Sequence, residues 1–291
     1  MPASPILRFA PSPDGFLHLG HAYSALMNQR LADRLGGTLL LRFEDIDPAR
    51  CRPEHVDESL ADLAWLGIRW QGPVWQQSTR LPAYAVALAK LDTMGLTYPC
   101  FCSRGDIARV VETRPDWPRD PDASPLYPGT CRHLTAGTRT AWQAAGRPHG
   151  RRIDMAAALS HQPHPLGWTE YRETPEATRV AADPALWGDA LLARKDVATS
   201  YHIAVVVDDA AQAITDIVRG EDLFAATSLH RLLQALLRLP EPAYHHHRLI
   251  RDLSGNKLAK SRNSATLRSL RHAGTDVTAI WQSLEARRDE T

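Results

Sequence analysis

Lysine is nearly missing from this chain. Of its 34 basic residues only Lys90, Lys195, Lys257 and Lys260 are lysines, so arginine serves wherever a positive charge alone is needed. Cysteine is scarce as well: four in 291 residues exclude a disulfide framework. No apolar run approaches the roughly 18 residues of a membrane span, and the N-terminus has no signal-peptide pattern. A cytoplasmic protein with no membrane partner is therefore expected, and a monomer. A surplus of charge is missing too; a net charge of +1 gives no global field for nucleic acid, although charge can be local. What is present, 44% hydrophobic and 23% charged residues, is the composition of a globular protein long enough to bury a core in one or two domains.

Two stretches stand out against that composition. The first is Arg8-Phe9-Ala10-Pro11-Ser12-Pro13-Asp14-Gly15-Phe16-Leu17-His18-Leu19-Gly20-His21. Ile6 to Ala10 is an apolar run of strand length; Pro11, Pro13 and Gly15 stop it and force a turn, because proline fixes φ and has no N–H to donate. From Gly20 onward Tyr23, Met27, Leu31 and Leu35 recur every four residues, the spacing of a helix with one buried face, and Gly36-Gly37 ends it. His18 and His21 thus fall where a strand has turned and a helix begins, and the unpaired N–H groups of a helix start make an anion site. Two imidazoles three residues apart share a helical face and can reach one phosphate. The plainer alternative is a solvent-facing or locally hydrogen-bonded pair.

The second stretch is Lys257-Leu258-Ala259-Lys260-Ser261, behind a Ser254-Gly255-Asn256 turn. It holds two of the four lysines within four positions. Lysine is a compact, mobile point charge where arginine is a broad planar fork, which suits a loop that must close over polyphosphate and then release it. A solvated loop is the competing reading.

Between these stretches, Thr38 to Phe43 reads as a second buried strand ending in Glu44-Asp45-Ile46-Asp47. Carboxylates at strand ends sit where open α/β sheets place ligand chemistry. Glu44 suits a substrate ammonium, while Asp45 and Asp47 read as turn caps. Pro53 opens a helix with Val56, Leu60 and Leu63 on its buried face, and Tyr84, Leu88 and Leu91 mark another, so residues 1–95 read β-α-β-α-α, a doubly wound start. From Tyr98 to about Trp187 the chain turns proline- and arginine-rich with weak periodicity. Cys100-Phe101-Cys102 and Cys131 there suit a zinc site lacking one ligand, with Tyr127 and His133 both nearby, unless the cysteines are simply buried thiols. Its arginines make either a phosphate-contacting surface or a solvated face. Tyr201 to Val207 and Ala213 to Val218 then read as two buried parallel strands, ending in Asp208-Asp209 and Arg219-Gly220-Glu221-Asp222. Leu229, Leu232, Leu233, Leu236 and Leu237 form a helix that stops before Pro240. His245-His246-His247 reads as a sheet edge or loop, since three consecutive strand residues cannot face one ion. One or two helices are expected after Ser261.

His18-Leu19-Gly20-His21 and Lys257 to Ser261, in this order and separation, resemble the nucleotide-binding signatures of class I aminoacyl-tRNA synthetases. Arg8 to Pro13, Leu41 to Asp47, Tyr201 to Asp209 and Val218 to Leu223 resemble signature segments of the glutamyl type, covering about residues 5–262. The Cys100/Cys102/Tyr127/Cys131 set resembles the zinc site of a truncated branch, the glutamyl-queuosine tRNA(Asp) synthetases. Val205 fits the same branch, standing where the full-length type commonly carries asparagine. Leu258 and Ala259 depart from its commoner methionine and serine.

The resemblance implies a class I synthetase-like Rossmann α/β fold: catalytic halves at 1–97 and 196–248, an inserted zinc-containing region at 98–195, and a lysine-loop and helical segment at 249–291. No anticodon-binding domain is expected, because only about 30 residues follow Ser261. It implies a glutamate site lined by Arg8, Phe9, Ala10, Pro11, Ser12, Glu44, Tyr201 and Arg219, with ATP phosphates at His18, His21 and Lys260 and catalysis through His18, His21, Lys257 and Lys260. It further implies Mg²⁺ with ATP, one structural Zn²⁺, glutamate activation without tRNA, and transfer to the queuosine base of tRNA(Asp). Two rivals stand beside it, a catalytic fragment charging a tRNA 3′ end and a non-catalytic RNA-binding relative. Retention of His18, His21, Glu44, Arg8, Arg219 and both loop lysines argues against the second.

Overall fold

The computed structural model of the chain describes residues 4–171, 176–250 and 265–289. Strand β1 (Ile6–Phe9) ends at the prolines, and helix α1 (Leu19–Leu35) follows, closed by Gly36 in the left-handed conformation at φ +61°. Strand β2 (Thr38–Phe43) returns parallel to β1, pairing Ile6 with Thr38 and Phe9 with Leu41. Helix α2 (Pro53–Trp65) has proline in its first turn with Glu54 beside it, favourable to the exposed N–H groups there. A two-residue strand β3 (Trp75–Gln76), too short for a sequence signal, adds to β2 before α3 (Leu81–Thr93).

The next region carries β4 (Thr97–Cys100), α4 (Arg104–Val111), α5 (Ala136–Ala144), β5 (Gly150–Ile153), α6 (Met155–His161), β6 (Gly167–Glu170), β7 (Thr178–Ala181) and β8 (Leu191–Ala193). Strands β4, β5 and β8 form a small antiparallel sheet, while β6 and β7 join the large one. The chain finishes with α7 (Tyr201–Ala211), β9 (Asp216–Gly220), α8 (Ala226–Leu237), β10 (Ala243–His247), α9 (Leu267–His272) and α10 (Val277–Asp289). The large sheet runs β3-β2-β1-β9-β10-β6-β7, parallel throughout except for its β7 edge.

Side chains alternate across the sheet. Leu7, Phe9, Leu39, Leu41 and Phe43 pack with α1, α2 and the C-terminal helices. A second core joins α3, α7 and α8 through Tyr84, Leu91, Ile203, Val206, Leu229 and Leu233. Arg8 and Arg42, on strands otherwise apolar, are both buried against α7.

Three expectations from sequence are corrected here. Tyr201 to Val207 is not a strand but the first turns of α7. A fully apolar run reads alike for a buried strand and for a helix enclosed on all sides, and this helix lies among α3, α8 and the small sheet. The run from Ala213 becomes strand only at Asp216, because Ala213 turns at φ +52°. His245 to His247 is neither edge nor loop but β10, inside the sheet between β9 and β6. Each ring has a neighbour: half-buried His245 places Nε2 2.8 Å from Asp216, buried His246 places Nδ1 2.7 Å from Glu170, and the buried His247 ring meets Tyr23 edge-on. The period-2 argument still holds, as the three rings serve different neighbours.

Candidate active site

From β1 the chain passes to β2 on one side, while β9 pairs on the other, so the sheet's strand order reverses at β1. Such a switch point leaves a crevice beyond the carboxyl ends of the strands. A cavity of about 760 Å³ occupies it. Arg8, Phe9, Ala10, Pro11, Ser12, His18, His21, Glu44, Tyr201 and Arg219 all line it, although they come from separate parts of the chain. Lys257 and Lys260 lie outside the described residues. Both ends of that stretch are nonetheless at the crevice: Ile250 lines it, and Thr266 bridges to His18.

At the start of α1, His18 is the N-cap. Its Nδ1 accepts from Gly20 N at 3.1 Å, while His21 Nδ1 accepts from His18 N at 3.2 Å. The two rings lie 3.9 Å apart, centroid to centroid. The local hydrogen bonding and the cavity-facing position are therefore not alternatives; one capping box supplies both. A Cβ on Gly20 would sit 2.9 Å from the His18 ring, so a side chain there would push the capping ring out of place.

On the α7 side, Asp209 holds two guanidiniums. It accepts from Arg8 Nε at 2.9 Å and from Arg42 Nη2 at 2.7 Å. Burial alone would raise its carboxyl, but the two arginines hold it below the ordinary value. Glu44, just past the end of β2, lies 3.8 Å from Arg42; burial outweighs Arg42 and Arg8 and pushes its carboxyl up to about 7. Asp47 caps its turn through Ala49 N as expected, whereas Asp45 reaches across to Ser78. Val205 lies one turn below Tyr201 on α7, buried in the core and not in the cavity wall.

Arg219, from β9, is almost fully buried. It donates to His246 Nε2 (3.1 Å), His230 Nδ1 (3.2 Å), Thr227 Oγ1 (2.6 Å), Leu223 O (3.1 Å) and the Tyr201 hydroxyl (3.4 Å). Asp209, Glu170, His230 and His246 were not singled out from sequence. In the sequence Asp209 closes the Tyr201 to Asp209 segment and His246 falls within the His245 to His247 run, neither with a role of its own, while Glu170 and His230 carry no local motif.

The cysteines meet away from this cavity. The sulfurs of Cys100, Cys102 and Cys131 lie within 4.8 Å of one another, and Tyr127 Oη lies 3.3 Å from Cys102 Sγ. Thiolates bound at about 2.3 Å around a tetrahedral ion sit about 3.8 Å apart, so the cluster fits a metal ion with little movement. Burial, with the surrounding cysteines, pushes the Tyr127 hydroxyl far above its ordinary value when no ion is present. His133 is not part of the cluster.

Residues 6–286 match the family model for tRNA synthetases class I (E and Q), catalytic domain. The chain belongs to this family of class I ligases. Within it, the glutamyl-Q tRNA(Asp) synthetase of Rhodobacter capsulatus is 47% identical over 281 residues, covering 94% of this chain and 98% of the relative. That of Nitratidesulfovibrio vulgaris is 37% identical over 281 residues, with 94% and 83% covered. The chain is an enzyme of this glutamyl-Q tRNA(Asp) synthetase-like kind. A solved glutamate tRNA ligase from Elizabethkingia meningosepticum, in complex with its amino acid, superposes at TM-score 0.76 and 22% identity over 97% of this chain. The chain spans 60% of that protein.

Proposed function

We infer that the chain activates L-glutamate with ATP, without tRNA, to glutamyl-adenylate, and transfers the glutamate to the queuosine base at the wobble position of tRNA(Asp). One observation carries the activation half. Of the charged groups lining the crevice, Arg50 pairs with Asp14 and Asp222 is exposed, whereas the inner set is two buried guanidiniums, Arg8 and Arg219, and one largely buried carboxylate, Glu44. That is the charge complement of glutamate, which has two carboxylates and one ammonium. Ser12 and Tyr201 add neutral hydrogen bonds that fix orientation.

With ATP across the strand tips, a glutamate carboxylate oxygen attacks the α-phosphorus and pyrophosphate leaves. Each capping ring uses Nδ1 as an acceptor, so in the neutral ring the proton sits on Nε2, the atom suited to donate to a phosphate oxygen. Lys257 and Lys260 are assigned to the pentavalent phosphorus and departing pyrophosphate, and losing one such charge costs about 10²–10³ in rate. Mg²⁺ accompanies the nucleotide and supplies charge neutralisation to its phosphates. Cys100, Cys102 and Cys131 with Tyr127 would hold one Zn²⁺ in a structural role, because none of them lines the crevice. The transfer half rests on the names of the relatives.

The test is glutamate-dependent ATP–pyrophosphate exchange on the purified protein, with and without tRNA. Robust exchange without tRNA is expected. Exchange that requires tRNA would replace this reading with 3′-end charging, and no exchange in either condition would leave RNA binding alone.

A further inference from the structure

A guanidinium has five N–H donors and no acceptor. In Arg219 each has a partner: Nε–H goes to His246, the Nη2 pair to Thr227 and Leu223, and the Nη1 pair to His230 and the Tyr201 hydroxyl. The Tyr201 contact, at 3.4 Å, is the longest of the five, and Tyr201 lines the crevice. Because arginine only donates, His246 Nε2 and His230 Nδ1 must both be lone pairs. The proton of His246 then lies on Nδ1 and is given to Glu170 at 2.7 Å. The proton of His230 lies on Nε2 and is given to His202 Nδ1 at 3.1 Å. Glu170 is held in turn by Trp168 Nε1 at 2.8 Å and His246 N at 2.9 Å. Glu170, His230 and His246 are all buried.

We propose that His246 backed by Glu170, and His230 backed by His202, are positioning residues for glutamate binding: as neutral acceptors they fix the Arg219 fork so that its longest contact, the N–H on the Tyr201 hydroxyl, is the one a substrate carboxylate takes over. The neutral state follows from the geometry, since a proton on either acceptor nitrogen would face a guanidinium N–H at about 3 Å. It agrees with burial, reinforced by Arg219, which holds His230 well below its ordinary value; burial also brings His202 and His246 down to about 4. Nothing in the sequence links β6, α8 and β10 in this way; the sheet order brings them together. The placement of glutamate rests on the function inferred above.

Glutamate-dependent ATP–pyrophosphate exchange tests it. In Glu170→Gln the amide N–H₂ can face His246 Nδ1, which moves the ring proton to Nε2 and sets it against Arg219. KM for glutamate is expected to rise about tenfold or more, with KM for ATP within about twofold and kcat within about threefold. His246→Leu and His230→Leu should do the same. His246→Gln and His230→Asn, which put an amide oxygen near the lost acceptor, should recover most of the affinity. Unchanged KM for glutamate in the folded Leu variants, or equal rises for both substrates, would overturn the proposal while leaving the glutamate reading intact. Wild-type protein with no glutamate-dependent exchange would remove the reading and the proposal together. Should the variants not fold, ¹⁵N spectra of the wild-type histidines decide: the Nδ1–H form is expected for His246 and the Nε2–H form for His230 at pH 7, and an imidazolium at either would overturn the assignment.

Discussion

Glu44 shows how one residue can answer to pH in two directions. Burial lifts its carboxyl from an ordinary 4.5 to about 7. The folded state thus binds the proton more tightly than the unfolded chain does. Its contribution to stability is present below the unfolded value and is lost as pH rises through about 7. Pairing with an ammonium needs the ionised form, so binding runs the other way. We expect kcat/KM for glutamate to climb about tenfold per pH unit below 7 and to level off above it, as for a single ionisation. Glu44→Gln should lower the plateau by roughly 10–10²-fold, the range for losing a charged hydrogen bond, and should abolish this limb. A limb that survives the substitution would assign the titration elsewhere. Glu44 was legible in the sequence because a carboxylate follows an apolar run. Asp209 was not, because its partners Arg8 and Arg42 lie far off in the chain.

At the scale of elements, the start of α1 and the cysteine cluster make different use of local sequence. The proline-rich turn and Gly20 put His18 and His21 at a helix start whatever else packs nearby, and that much could be read directly. The cluster needs β4 and the loop reaching Cys131 to meet. Cys131 N donates to the Tyr127 hydroxyl at 2.8 Å, which sets that oxygen among the sulfurs. Wild-type protein should keep one equivalent of zinc through dialysis and Tyr127→Phe less than one; full retention would remove the tyrosine from the ligand set. If the cluster holds zinc, stripping it should lower the thermal stability of the segment around β4 and Cys131 while leaving KM for glutamate little changed, because the cluster does not line the crevice. The α7 correction belongs here too: an apolar run fixes burial before it fixes periodicity.

For the whole molecule, the C-terminal helices complete one face of the sheet. Leu267, Ile280 and Leu284 are buried in the same core as Leu7 and Phe43. Arg271 reaches Asp62 at 2.8 Å and Glu58 at 2.5 Å on α2. Leu267 N donates to Leu17 O at 2.8 Å, tying the chain after residue 264 to the turn that carries His18. Leu284→Ala, leaving a cavity at a fully buried position, should cost about 2–5 kcal/mol and lower the melting temperature by several degrees. If calorimetry finds no shift, α10 is not part of the cooperative core. No described helix is long and apolar enough to cross a membrane.

The sequence by itself determined what is local and periodic: the β-α-β start, the capped histidine pair, the carboxylate after β2, the amphipathic α8, and the residue types of the crevice. Tertiary structure alone decided that Tyr201 rides on a helix, that three consecutive histidines form an interior strand, and that Glu170 and His230 stand behind Arg219. The reason is physical. Capping, turn chemistry and amphipathic spacing act within a few residues, so they are written along the chain. Buried polar groups find their partners across the sheet, at separations that only its strand order sets.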